Sequence, residues 1–240
     1  SMAVQRTVTM LAVVQYATER GDEATIAAAD VLCRDLTMQL VGRHSSLYTR
    51  MPLMFACELG VRLDFVAVPD MTRTDVASYA GNPALKLPIL KLEGAELFGA
   101  LNICRAIAES STSQKLIVWP ELLADTLSRN AQEMVWHAMT AQVQLVMGTV
   151  VNHLPAEDGF FAKTRAGLDG ALGWLDARVH DCLSALPPRG LSVFEVSLFC
   201  LVEHLAFRPS VPLDGHSALR SFAAAYGARD CARRTAYRFD

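Results

Sequence analysis

Every strand-like pattern in this sequence lies before Gly99, and from Trp119 onward the apolar residues recur only at helical spacing. MQLVG (38–42) reads as a short buried strand, RLDFVAVP (62–69) alternates in the manner of a second, and PILKL and AELF form a hairpin across Glu93–Gly94, where glycine supplies the positive φ of a tight turn. Between them MPLMFACELG reads as a helix, with Pro52 in the first turn and Gly60 as its stop, because a first-turn proline sacrifices no helical hydrogen bond. TRTDVASYA reads as a short helix and GALNICRAIAES as the next. ELLADTLSRNAQEMVWHAMTAQVQLVMGTVV, KTRAGLDGALGWLDARVHDCLSAL and SVFEVSLFCLVEHLAF then follow with no strand among them. An α/β unit over 38–110 and an all-helical unit over 119–240 make a two-domain chain. Residues 1–37 stand before it as an extension, in which EATIAAADVLCRDL has amphipathic spacing.

Charge and composition narrow the function. The net charge is -3, and the basic cluster Arg229, Arg233, Arg234, Arg238 is interrupted by Asp230 and Asp240 without an aromatic platform, so no nucleic-acid partner is expected. No apolar run reaches the roughly 18 residues of a membrane span, and VTMLAVVQYA (8–17) is too short and too soon followed by acidic residues to read as an export signal. The six cysteines are scattered without a C-x-x-C, which predicts reduced, mostly buried thiols in a cytoplasmic protein. Glu203–His204 lacks H-E-x-x-H spacing, and no metal site is expected.

The punctuation of residues 82–98, NPALKLPILKLEGAELF, carries more. Proline at a strand start removes a ladder donor; a cis Leu87–Pro88 bond would turn the Leu87 backbone outward to pair with an extended ligand. The segment resembles the N-P-x-G-K-V-P-x-L-x-x-D-G-x-x-L-x-E-S pattern of the glutathione transferase family, matching at Asn82, Pro83, Lys86, Pro88, Leu90, Gly94 and Leu97. Ser192-Val193-Phe194-Glu195 is a capping box similar to one that the family carries in its helical domain. The resemblance spans about residues 38–240. It implies an α/β plus all-α fold: a thioredoxin-like N-terminal domain (βαβαββα), then an all-helical C-terminal domain.

What the resemblance implies chemically is the activation of a thiol. Glutathione would lie beside Leu87 and Pro88, and a hydroxyl after the first strand would hydrogen-bond its sulfur, favouring the thiolate. Ser46 fits that role best, with Ser45 one residue earlier as the alternative and Tyr48 further on. Lys86 would meet the glycyl carboxylate and the Ala100 N–H the γ-glutamyl carboxylate, while Arg50 and His44 flank the serines and could hold an anion. Trp136 and His137 lie on the helix that would line a hydrophobic cleft. Two departures stand out: Gly99 and Ala100 replace the family's Glu-Ser pair, and Leu85 replaces a glycine. The implied activity is thiol conjugation of a small hydrophobic electrophile by a cytoplasmic homodimer. The alternatives are a transferase-fold scaffold or ligand-binding protein that has lost glutathione, and a glutathione-dependent isomerase.

Overall fold

The computed structural model describes residues 38–240. The expected N-terminal extension, with VTMLAVVQYA, the amphipathic segment and Cys33, lies outside them. Strand β1 (Gln39–Gly42) pairs in parallel with β2 (Asp64–Ala67) and antiparallel with β3 (Ile89–Leu92), which pairs antiparallel with β4 (Ala95–Phe98); the sheet order is β2-β1-β3-β4. Helix α1 (Leu47–Leu59) makes the crossover from β1 to β2, and α2 (Ala100–Glu109) follows β4 and packs on α1. Strand alternation sorts the sheet's two faces. Leu40 and its partner Leu90 join the main core with α1 and α2, whereas Val41 and its partner Ile89 point the other way, toward Val68, Met71, Ala80 and Leu87.

Helix α1 starts four residues earlier than its sequence suggests. Ser46 is the N-cap, its Oγ accepting the Thr49 N–H, so Pro52 sits inside the helix rather than in its first turn and deprives the Tyr48 carbonyl of its usual donor. The expected stop is observed. Gly60 adopts φ 69°, its N–H bonds to the Cys57 carbonyl and the Val61 N–H to the Ala56 carbonyl, the paired bonds of a left-handed helix termination. The segment expected as a short helix at TRTDVASYA is only a 3₁₀ turn, Val76–Tyr79, capped by Asp75.

The second half is helical, with one exception. Helices α3 (Thr126–Leu145), α4 (Gly159–Asp176), α5 (Val179–Ala185), α6 (Val193–Phe207), α7 (Ser217–Gly227) and α8 (Asp230–Arg234) follow in order, and α6, packed against α1, α3 and α7, is buried along most of its length. Helix α3 passes into a π-helical stretch, Val146–Val151. The exception corrects the expectation of no strand after Trp119: Leu191–Ser192 (β6) pairs in parallel with Ile117–Val118 (β5), stitching the start of α6 to the link after α2. Ser192 caps α6 by accepting the Glu195 N–H, but the Glu195 carboxylate takes the Ser192 hydroxyl and the Arg189 guanidinium instead of reaching back to the cap N–H.

Cysteine usage also differs from expectation. Cys104, Cys182 and Cys200 are free and buried as read, but Cys57 and Cys231 form a disulfide between α1 and α8. Scattered spacing concealed a pair brought together by the tertiary fold. Among the described residues no helix is long and apolar enough to cross a membrane.

Candidate functional site

The loop Arg43–Ser46 leaves β1 and turns immediately into α1. Gly42 permits this, because a Cβ there would stand 2.5 Å from the Thr49 side chain. Ser45 is buried, and its carbonyl accepts a hydrogen bond from Nε2 of His204 on α6 at 3.2 Å. Ser46 uses Oγ as an acceptor for the cap; its own hydroxyl proton remains available to a ligand. Tyr48, two residues on, reaches across to the helical half and bonds Thr140 Oγ1 at 3.1 Å. Burial raises the Tyr48 pKa, which the Thr140 hydrogen bond partly offsets.

A cleft of about 280 Å³ opens here, lined by Tyr48, Met51, Gly99, Ala100, Leu101, Asn102 and Trp136. Its walls come from α1, the start of α2 and the middle of α3. The N-terminus of α2 faces it without a side-chain cap: Gly99 occupies the cap position at φ 88°, and the first turn holds no acid. Unpaired N–H groups with the helix dipole behind them make such an end receptive to an anion. Ala100 is one of the cleft's lining residues. Ser45, Ser46, Lys86, Leu87 and Pro88 are not among its lining residues.

The Asn82–Leu87 segment has its own logic. Asn82 is buried, accepts the Ala84 N–H through Oδ1 and donates Nδ2 to the Lys86 carbonyl at 2.8 Å. That bracket shapes the loop; Lys86 itself is exposed. Leu85, where the family resemblance has glycine, adopts φ 52°, a left-handed conformation costing roughly 1–2 kcal/mol for a branched side chain. The Leu87–Pro88 bond is cis, and Leu87 precedes the first ladder pair of β3, Ile89 with Val41.

Arg50 and His44, which flank the serines in sequence, both engage the segment 231–240. Arg50 is 2% exposed, with its guanidinium 4.7 Å from the centroid of Phe199 and 4.3 Å from that of Tyr237, and Nη2 donating to the Ala232 carbonyl at 3.0 Å. It locks the C-terminal segment onto α1 rather than facing the serines' solvent side. His44 is held by Arg238 and Asp240: its N–H donates to Asp240 at 3.0 Å, its Nδ1 meets the same carboxylate, and Nε2 faces Arg238 at 2.7 Å. His137 is exposed on α3, away from the cleft lining that includes its neighbour Trp136.

Sequence reasoning missed His204. Its Nδ1 accepts from Gln142 Nε2 at 3.1 Å while Nε2–H donates to Ser45, which fixes one neutral tautomer. Gln142 is itself tied to the Arg208 carbonyl and the Ser210 hydroxyl. Burial, helped by Arg208 and Arg50, lowers the His204 pKa to about 4, with the Ser45 hydrogen bond opposing the shift. The available signal was a histidine in a largely apolar helix, on the turn after the apolar run Leu198–Val202.

Solved structures share this architecture. A glutathione transferase family member from Pseudomonas fluorescens Pf-5, with bound glutathione, aligns with a TM-score of 0.70 and 19% identity over 84% of this chain and 100% of that one. A glutathione S-transferase from Methylobacillus flagellatus, also with glutathione bound, aligns with a TM-score of 0.66 and 19% identity over 84% and 100%. A glutathione transferase from Populus trichocarpa aligns with a TM-score of 0.61 and 15% identity over 83% and 97%. No family model and no curated protein matches the chain. At these identities the likeness is one of fold.

Proposed function

From a chain with the glutathione transferase fold, we propose a glutathione transferase-like protein that binds glutathione in the cleft and conjugates its thiol to a small hydrophobic electrophile. The observation that carries the reading is the uncapped N-terminus of α2 at Gly99–Ala100, opening into a cleft walled by Tyr48, Met51 and Trp136. The Ala100 N–H would receive the γ-glutamyl carboxylate, the backbone at Leu87 and Pro88 would run beside the peptide, and Lys86 would meet its glycyl end. Ser46 would donate its free hydroxyl proton to the sulfur, with Ser45 as the alternative donor; either bond favours the thiolate. Met51 and Trp136 would offer the apolar wall an aromatic or alkyl electrophile needs. The same reading takes the protein as a cytoplasmic homodimer of domains 38–110 and 119–240.

Calorimetry with glutathione and conjugation assays with a simple aryl halide test this. We expect millimolar or tighter binding, and a fall in kcat/KM of about 10- to 100-fold for Ser46→Ala, the worth of one hydrogen bond to a charged group, with glutathione affinity little changed. No binding heat at millimolar glutathione would sink the proposal. A second reading, a transferase-fold scaffold or ligand-binding protein without glutathione, is favoured by the missing acid and hydroxyl at Gly99 and Ala100. It would then stand.

A further inference from the structure

Cys57 lies near the C-terminal end of α1 and Cys231 in α8, 174 residues apart in sequence but with Cα atoms 5.6 Å apart and their sulfurs bonded. Both residues are half-buried, within reach of a small thiol reagent. The remaining described cysteines differ. Burial pushes the Cys182 and Cys200 thiols up to about 11 and about 12, and Cys104 well above its ordinary value, so they stay protonated and inert.

The bond is one end of a strap. From Cys231 the chain runs back along α1 toward its N-terminal mouth: the Ala232 carbonyl takes Arg50 Nη2, Tyr237 covers the same guanidinium, Arg238 meets His44, and Asp240 accepts the His44 N–H. The far end of the strap thus rests on the loop that holds Ser45 and Ser46. Besides the disulfide, the near end is tied to α1 by the Arg229–Glu58 pair at 3.3 Å and by the Thr235 hydroxyl, which reaches Met54 Sδ at 2.9 Å; neither is covalent, and only the disulfide fixes the strap's start to α1 through a bond that exchange chemistry can open.

We propose that Cys57 and Cys231 form a reversible thiol–disulfide site for a low-molecular-weight disulfide such as glutathione disulfide, and that its oxidation clamps residues 231–240 over the Arg43–Ser46 loop. One protein thiolate attacks the small disulfide and expels one small thiol, leaving a mixed disulfide. The second protein thiolate attacks the protein sulfur of that mixed disulfide and expels the other. Two protein thiols are oxidised, the small disulfide is reduced to two thiols, and their two protons pass to the leaving thiolates. The exchange chemistry is independent of ligand binding in the cleft; only the catalytic meaning of the clamped loop rests on the reading above.

The test uses the full chain equilibrated in glutathione–glutathione disulfide mixtures, alkylated and peptide-mapped, with hydrogen exchange at the His44 amide as the second readout. In the oxidising mixture Cys57 and Cys231 should resist alkylation and yield a linked peptide; in the reducing mixture both should react. The His44 amide, which donates to Asp240, should exchange about tenfold faster in the reduced protein and in Cys231→Ser, with Cys57→Ser giving the same result by an independent substitution. Free Cys57 and Cys231 in the oxidising mixture, or a cross-link from either to Cys33, would overturn the site. A formed bond with unchanged His44 exchange would overturn the clamp. Neither readout depends on glutathione binding in the cleft, so a failure here is separable from a failure of the proposed activity.

Discussion

His204 is 3% exposed and neutral, and both ring nitrogens are committed, one to Gln142 and one to the Ser45 carbonyl. Its folded pKa of about 4 lies below the ordinary 6.5. The unfolded chain therefore takes up this proton at higher pH than the folded one. The stabilisation is fully present above pH 6.5 and is lost as pH falls toward 4, a change of about 3 kcal/mol from one group. Urea unfolding of the native protein and of His204→Gln at pH 7.5 and at pH 4 would measure it. The native protein should lose about 3 kcal/mol more than the variant between those pH values, since the other titrating groups cancel in the difference. Equal pH dependence would mean that His204 is not held neutral. The neighbouring buried cation follows another rule: among the described residues Arg50 Nε and Nη1 have no partner, and the two aromatic faces supply much of what a counter-ion would.

At the scale of elements, the two helices that frame the cleft begin differently. Helix α1 is capped by Ser46 and stopped by Gly60, whereas α2 starts at Gly99–Ala100 with no side-chain cap. Ala100→Ser should restore a hydroxyl beside the α2 N–H groups. Under the proposed function it should tighten glutathione binding by about one order of magnitude or slightly more, the value of one hydrogen bond to a carboxylate; titration calorimetry on both proteins reads this directly. Unchanged or weaker affinity would mean that the γ-glutamyl carboxylate does not lie there. Glutamate at Gly99 is a poorer repair, because φ 88° there strains any side chain. The same contrast shows what the sequence made legible. Gly60, the Glu93–Gly94 turn and the Ser192 cap are local signals, and each appears where the residues place it. Pro52 misled because its preference for the first turn was overridden by a stronger cap upstream at Ser46. Strand β6 is two residues long, too short for alternation to register. The Cys57–Cys231 bond, the Arg50 sandwich and the His204–Ser45 contact each join residues about 150 positions apart or more, and one-dimensional spacing contains no trace of them.

At the scale of the whole molecule, the two sequence units share one hydrophobic core. Leu40, Leu90 and Ile103 from the first half and Val135, Leu198 and Phe199 from the second belong to the same buried cluster, and α1 packs directly on α6. Polar ties cross the same boundary at His204–Ser45 and Tyr48–Thr140, and the disulfide crosses it again. A core that neither half completes alone should melt as a unit. The chain carries probes for each half: Trp119, Trp136 and Trp174 all fall in the second, while the buried thiol of Cys104 sits in α2 of the first. In urea, with the disulfide intact, tryptophan fluorescence and the alkylation of Cys104, resolved from Cys182 and Cys200 by peptide mapping, should share one midpoint. If Cys104 becomes reactive at clearly lower urea than the fluorescence change, the thioredoxin-like half opens first, and the shared core does not couple the two. Coincident transitions would also carry a consequence for the cleft: its walls, drawn from α1, α2 and α3, would then be held by global stability, and destabilising either half would loosen both sides of the site together.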